Sequence, residues 1–446
     1  MLVETKYGKV KGVQEGPVQV WRGVPFAQAP RFRAPLAPEP WAGVRDASRF
    51  GPVAWQVPGP GLLESLSEPV DHQDEDCLNL NVWSPDTDGR SRPVLVWIHG
   101  GAFVWGSGQT PWYDGTSFAA NGDVVVVTIN YRLGPFGFLH TLGDANCGIL
   151  DQAAALRWVR ENIAAFGGDP GRVTVAGESA GSISVGLLLR MPEARGLFQQ
   201  AIMESGAAAP GFLTDRTRTE AKVRSMGIPP EQLEKMPAAD LLAAGGPRTE
   251  QLAWLPLDEG LVEPAPVPLL IGTNRDEFML YAANPAWAAM DDEALLRAAG
   301  PVTPALRSHY LDGRHGPDLF QAVMRLTTDR GFWYPTQRMA ENHPGATWVY
   351  RFDWDGGPLK ACHALEIPFV FNTIDLPGGS VLSGCSPDRP LIAAQMHRAW
   401  TAFLRDGDPG WPRYDVTRRP AMLFNVESDV ADDPAGDARR AWASAG

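Results

Sequence analysis

The chain has 446 residues, 44% of them hydrophobic, and a formal net charge of −13 from 39 Lys and Arg against 52 Asp and Glu. That length and apolar content are enough to bury a large core, and the acidic balance repels phosphate backbones, which argues against nucleic acid as a partner. No apolar run reaches the length of a bilayer span, so no membrane is expected. The stretch Met1-Leu2-Val3-Glu4-Thr5-Lys6-Tyr7-Gly8 carries no apolar signal segment, so the expected setting is the cytoplasm.

In chain order, short strand-like pieces at 9–13 and 18–21 predict an antiparallel edge to a larger sheet. Residues 23–41 are rich in Pro and Arg and read as an irregular segment pinned to the surface, and 51–70 as a polar, Pro-rich loop. Continuous apolar runs at 93–98, 124–129 and from Val173 predict strands covered on both faces, as in an α/β sheet with helices on either side. Between the last two, Leu156, Val159, Ile163 and Phe166 recur at helical spacing over 151–166, with Asp151 near the start and Gly167 as the cap. Further strands are expected at 200–204, 267–272 and 348–352, and a helix at 392–404 ends at Asp406-Gly407-Asp408-Pro409. Residues 207–262 and 285–343 read as excursions over the sheet. No linker or repeat divides the chain, so one α/β domain over 1–446 is expected. The four cysteines, Cys77, Cys147, Cys362 and Cys385, lie far apart without metal-ligand spacing and are expected as reduced thiols.

One stretch carries chemistry. Gly177-Glu178-Ser179-Ala180-Gly181 lies between the strand opened by Val173 and a helix beginning near Ser182. Glycines two residues before and after a serine permit the sharp strand-to-helix elbow that presents a nucleophile, which makes Ser179 the candidate; the same five residues also suit an ordinary turn. A serine hydroxyl needs a base, and the base an orienting acid, drawn in this architecture from loops after later strands. Asp276 and Glu277 follow the strand at 267–272, and the residues alone leave the choice between them open. Of five histidines after Glu277 (His309, His315, His343, His363 and His397), only His363 is placed in a loop after a sheet strand. His99-Gly100-Gly101-Ala102-Phe103 directly follows the first buried strand, where small residues let backbone N–H groups face an oxyanion together with that of Ala180. Taken alone, it also reads as a glycine turn with a packing histidine.

The chain resembles the type-B carboxylesterases, the cholinesterase and bacterial para-nitrobenzyl esterase family within the α/β-hydrolases. The resemblance rests on Arg22-Gly23-Val24-Pro25-Phe26-Ala27, Glu75-Asp76-Cys77-Leu78-Asn79-Leu80-Asn81-Val82 and Val96-Trp97-Ile98-His99-Gly100-Gly101-Ala102-Phe103. It continues in Asn130-Tyr131-Arg132-Leu133-Gly134, the Ser179 elbow, Gly272-Thr273-Asn274-Arg275-Asp276-Glu277 and His363-Ala364-Leu365-Glu366-Ile367-Pro368-Phe369-Val370-Phe371. It implies the α/β-hydrolase fold, a mostly parallel central sheet with helices on both faces and excursions that form a gorge. Position by position it implies Ser179 as nucleophile, Glu277 rather than Asp276 as acid, His363 as base, and the N–H groups of Gly101, Ala102 and Ala180 as oxyanion donors. Arg31 with Glu75, and Arg132 with Asp151, match family positions read as structural ion pairs, and Glu178 and Ser205 match positions near the site. The chain departs from the family where no cysteine precedes Cys77, so the family's disulfide there is not expected. Residues 26–41 and 206–267 look shortened, and Phe278 and Asn372 stand where the family commonly has Gly.

The reading is a serine carboxylesterase acting on a small-molecule ester through an acyl-enzyme, without metal or cofactor, as a monomer or homodimer. Phe103, Trp105, Trp112 and Trp254 are candidate linings of an apolar gorge, with core packing as their other reading. Two further function classes fit the same residues: a non-catalytic cholinesterase-like binding protein, and an acyltransferase or amidase on the same triad. His363 and Glu366 stand three apart but lack the second histidine of a zinc site.

Overall fold

The computed structural model describes residues 1–57, 72–208, 210–246 and 254–445. Most of the loop expected at 51–70, and positions 209 and 247–253 of the first excursion, therefore lie outside the described residues. The strands run in chain order as β1 (Leu2–Thr5), β2 (Gly8–Lys11), β3 (Val13–Glu15), β4 (Val18–Pro25), β5 (Val44–Asp46), β6 (Asn79–Ser84) and β7 (Arg92–Ile98). They continue as β8 (Val125–Ile129), β9 (Gly168–Glu178), β10 (Gln200–Glu204), β11 (Leu269–Asn274), β12 (Thr347–Phe352), β13 (Pro420–Phe424) and β14 (Asp429–Asp432). Eleven of them form one sheet in the order β14-β13-β12-β11-β10-β9-β7-β8-β6-β4-β3. From β13 to β8 all neighbours are parallel, while β14 at one edge and β6, β4 and β3 at the other run antiparallel.

The unbroken apolar runs explain the layers. In β7, Val94, Val96 and Ile98 enter one core while Leu95 and Trp97 enter another, so alternate side chains serve opposite faces and both must be apolar. Helices α1 (Cys147–Asn162) and α2 (Ala180–Leu188) cover the first face with Leu156, Trp158, Val185 and Leu187. A third, smaller core joins α3 (Pro304–Tyr310), α4 (Gly316–Thr328) and α8 (Gly436–Ala443) through Leu306, Val323, Leu326 and Ala438. Between α4 and α8 come α5 (Tyr334–Asn342), α6 (Glu366–Val370) and α7 (Arg389–Asp406), and α7 covers the sheet's second face with Ile392, Met396, Trp400 and Phe403.

Several expectations need correcting. Residues 9–11 do not join the main sheet: β2 pairs with β1 and β5 in a separate three-stranded sheet, and β3 and β4 join β6 in the antiparallel edge. Gly12 makes the break, since a side chain there would collide with the Val20 carbonyl. Helix α1 starts at Cys147, which places Asp151 inside the helix rather than at its head. Strand β6 is wholly buried despite its polar alternation, because its amides are satisfied internally. Asn81 Nδ2 donates to Thr128 Oγ1 at 3.0 Å, and Asn79 Nδ2 to the Pro52 carbonyl at 2.7 Å.

Two ion pairs brace the loops around the sheet's C-terminal edge. Arg132 donates to Asp151 through its backbone N–H (3.0 Å), Nε (2.8 Å) and Nη2 (2.7 Å), with both side chains buried. Arg31 binds Glu75 in a two-pronged contact and also reaches the carbonyls of Leu233 and Met236, fastening the N-terminal segment to the first excursion. Among the described residues no helix is long and apolar enough to cross a membrane, and no cluster of three potential metal ligands occurs. Replacing one member of a buried pair strands the other charge, at about 3–5 kcal/mol. Asp151→Asn is therefore expected to lower unfolding free energy by about that much in denaturant titration, whereas a loss below about 1 kcal/mol, as for a surface pair, would contradict the structural role.

Candidate active site

Strand β9 ends at Glu178 and α2 begins at Ala180, so Ser179 alone makes the turn, at φ 55° and ψ −119°. That backbone is strained for a residue with a side chain, and surrounding bonds hold it there. The Ser179 N–H donates to the Glu204 carbonyl and the Ile183 N–H to the Ser179 carbonyl, each at 2.9 Å. Gly181 is demanded by proximity, because a Cβ there would overlap the carbonyl oxygen of Ile98 at the end of β7. Ser179 is half-buried between buried neighbours, and its hydroxyl has no hydrogen-bond partner among the described residues.

The loop after β7 lies against this turn. A Cβ on Gly100 would stand 3.2 Å from Ser179 Cβ and 2.7 Å from Glu178 Oε2, so only glycine allows the approach. Gly101, Ala102 and Phe103 follow with φ of 109°, 53° and 63°, three successive left-handed residues that turn the chain back on itself. The Gly101 carbonyl accepts from Val104 (3.0 Å) and Trp105 (3.1 Å). The N–H groups of Gly101, Ala102 and Ala180 have no acceptor among the described residues. His99 is a packing residue: it stacks on Tyr131 at 4.4 Å, and burial pushes its pKa down to about 4.

The loops after β11 and β12 bring acid and imidazole together. His363 Nδ1 lies 2.6 Å from Glu277 Oε2, and the His363 N–H donates to the Glu277 carbonyl at 3.2 Å. Asn274 secures both loops, its N–H donating to Glu277 Oε1 and its Nδ2 to the Cys362 carbonyl, each at 2.7 Å. Asp276 faces away and pairs with Arg275 at 3.0 Å, so geometry separates the two adjacent acids. His343 and His397 are occupied by the carbonyls of Val267 and Val370, and His309 and His315 are exposed.

Three more carboxyls are buried close by. Glu178 Oε1 stands 3.2 Å from His363 Nε2, Glu366 accepts from Ser205 Oγ at 2.7 Å, and Glu204 accepts from Trp400 Nε1 at 2.7 Å. Burial pushes Glu178 up to about 8 and Glu366 up to about 7, and drives Glu204 well above the usual carboxylate range. For His363 burial acts downward, but the carboxylates of Glu178 and Glu277 outweigh it and raise the imidazole to about 9. The 3.2 Å approach of Glu178 Oε1 to His363 Nε2 is a charge contact without hydrogen-bond geometry.

A group of aromatic rings that sequence reasoning missed closes over the imidazole. Phe332 lies 4.9 Å and Tyr281 5.7 Å from the His363 ring, with Phe278 5.2 Å from Tyr281 and Phe212 5.9 Å from Phe332. Phe278 and Tyr281 share a short helical turn with Glu277, which the position of Phe278 just after the acid hinted at. Phe332 occupies a π-helical turn, for which no apolar period exists to be read. Of the four expected gorge residues, Trp105 lies half-buried on the glycine loop. Phe103 is buried against Phe138, Trp112 is buried with its indole N–H on the Pro377 carbonyl, and Trp254 is buried beneath Lys222.

Residues 1–433 match the family model for the Carboxylesterase family. The chain is 40% identical to the para-nitrobenzyl esterase of Bacillus subtilis (strain 168), across 98% of each chain. It is 36% identical to the phenmedipham hydrolase of Pseudarthrobacter oxydans, across 97% of each. The crystal structure of the Geobacillus stearothermophilus carboxylesterase EST55 superposes with a TM-score of 0.88 at 42% identity, covering 99% of both chains. The chain belongs to the carboxylesterase family and is a carboxylic-ester hydrolase of the α/β-hydrolase fold.

Proposed function

We propose that the protein hydrolyses small-molecule carboxylic esters through an acyl-enzyme on Ser179, with His363 as base and Glu277 as the acid that orients it. The observation that carries this reading is the 2.6 Å contact of His363 Nδ1 with Glu277 Oε2, taken with a serine held at φ 55° on its elbow. Nε2 of neutral His363 takes the Ser179 proton as Oγ attacks the ester carbonyl. The oxyanion that forms lies among the N–H groups of Gly101, Ala102 and Ala180, whose lack of other acceptors supports this role. His363 then passes the proton to the leaving alcohol, and water repeats the sequence on the acyl-serine to release the acid.

His363 must meet the leaving oxygen at Nε2, so rings beside its imidazole border the alcohol side of the ester. Phe332 and Tyr281 give that side an apolar wall, which favours apolar or aromatic alcohols. Trp105 on the glycine loop borders the oxyanion side.

The direct test is release of p-nitrophenol from acetate, butyrate and octanoate esters by wild type and Ser179→Ala. The variant is expected to lose at least about 10³-fold in kcat, and turnover surviving in it would place the nucleophile elsewhere.

The pH dependence follows from the direction of the shift. A raised imidazole keeps its proton to higher pH, and only the neutral form is a base, so kcat/KM is expected to increase with pH. Its controlling ionisation should lie above the ordinary histidine value of about 6.5. Glu178→Gln removes the nearest carboxylate facing Nε2 and is expected to bring that ionisation down toward 6.5. A profile that stays flat between pH 5 and 9 for a slow ester would sink the role of His363, and an unmoved midpoint in Glu178→Gln would sink that of Glu178.

A further inference from the structure

The segment that carries Phe332 has an unusual backbone. Helix α4 passes into α5 through one turn of π-helix, Asp329–Trp333. Such a turn has poorer hydrogen-bond geometry than an α-helix and persists where its surroundings over-determine it. An added residue advances all later side chains by about 100° around the axis. The π turn thereby decides which residue faces His363, and the residue it presents is Phe332, buried and 4.9 Å away.

The C-terminal helix α8 holds this turn at three points. Tyr310 Oη donates to Asp329 Oδ2 at 2.6 Å and itself accepts from Trp442 Nε1 at 3.1 Å. The Arg330 guanidinium lies 5.6 Å over the Trp442 ring. On its other side the same ring stacks on Tyr334, the first residue of α5, at 5.7 Å and 23°. The first two residues of the turn and the residue just beyond it therefore meet Trp442, directly or through Tyr310. Asp329 is almost fully buried, and among the described residues its carboxyl has only Arg325, 3.7 Å away, as a second partner, so loss of the Tyr310 hydroxyl leaves a buried carboxyl short of a donor.

We propose that Tyr310 and Trp442 are positioning residues of the ester site, which hold the π turn so that Phe332 stands beside His363 and limits the room for the alcohol group. The inference rests on the assignment of Ser179 and His363 above. It gives the end of the chain, on α8, a role in selectivity at a site it does not touch.

The test compares kcat/KM for benzyl butyrate and methyl butyrate in wild type, Tyr310→Phe, Trp442→Phe, Phe332→Ala and the Tyr310→Phe/Phe332→Ala double variant. Both variants keep a ring in place; Tyr310→Phe removes two hydrogen bonds and Trp442→Phe removes one, and thermal unfolding checks that they fold. Each is expected to turn over methyl butyrate and to shift the benzyl-to-methyl ratio at least about threefold, in the direction of Phe332→Ala. The double variant should shift it no further than Phe332→Ala alone, because Tyr310 acts through Phe332. An unchanged ratio in the folded single variants, a fully additive double variant, or failure of both single variants to fold would overturn the proposal and leave these residues as scaffold. No turnover of either ester by wild type would instead overturn the reading of Ser179 and His363.

Discussion

The approach of Gly181 to the carbonyl of Ile98 sets the geometry on which the rest of the site depends. Ile98 is the last residue of β7, and the glycine loop begins at the next position. Gly181 lies in the first turn of α2, two residues after Ser179. One backbone contact thus fixes the distance between Ser179 and the glycine loop, although Ser179 and His99 are 80 positions apart in the chain. Parallel pairing of β7 with β9, with Ile98 opposite Gly177, delivers both ends to the same edge of the sheet. A larger residue at 181 would push α2 away from β7 and carry Ser179 and Ala180 away from the glycine loop.

The charge arrangement is harder to sustain than the packing. Four carboxyls, from Glu178, Glu204, Glu277 and Glu366, are buried near the site, and three of them, Glu178, Glu277 and Glu366, act on His363. Burial opposes ionisation of Glu178, Glu204 and Glu366, and repulsion from neighbouring carboxylates opposes it further. Glu277 has the His363 Nδ1–H and the Asn274 N–H as donors. Glu366 has Ser205 and Asn274, whereas one oxygen of Glu204 has no partner among the described residues. Glu277 is thus the carboxyl aligned with Nδ1 of the imidazole, held by donors from two loops.

Much of this was legible in the sequence. The unbroken runs at 93–98 and 124–129 declared strands covered on both faces, and the glycines around Ser179 declared the elbow. Five histidines follow Glu277, so chain order alone did not choose among them, and a place in a loop after a sheet strand singled out His363. Adjacent acids could not be separated by type or spacing, and it is the loop that turns Glu277 inward and Asp276 toward Arg275. Strand β6 was hidden because Asn79 and Asn81 look solvent-facing until their internal acceptors are known. The aromatic wall was hidden for a different reason: Phe212, Phe278, Tyr281 and Phe332 come from separate segments, and the last sits on a turn whose period no sequence pattern announces. The large tryptophans after the glycine loop drew attention by size, yet Trp112 spends its surface on the core.

The third core, beneath α3, α4 and α8, has a consequence for assembly. Glu277 and His363 are 86 positions apart, and bringing the ends of a loose loop of that length together carries an entropic cost that grows with length. Here much of the intervening chain is compacted around Leu306, Val323 and Leu326, so it behaves as a folded spacer. Long-range closure is reduced to docking two strand ends, β11 and β12, that already lie side by side in register. The span between Glu277 and His363 is then set by the register of β11 with β12 and not by the length of chain between them.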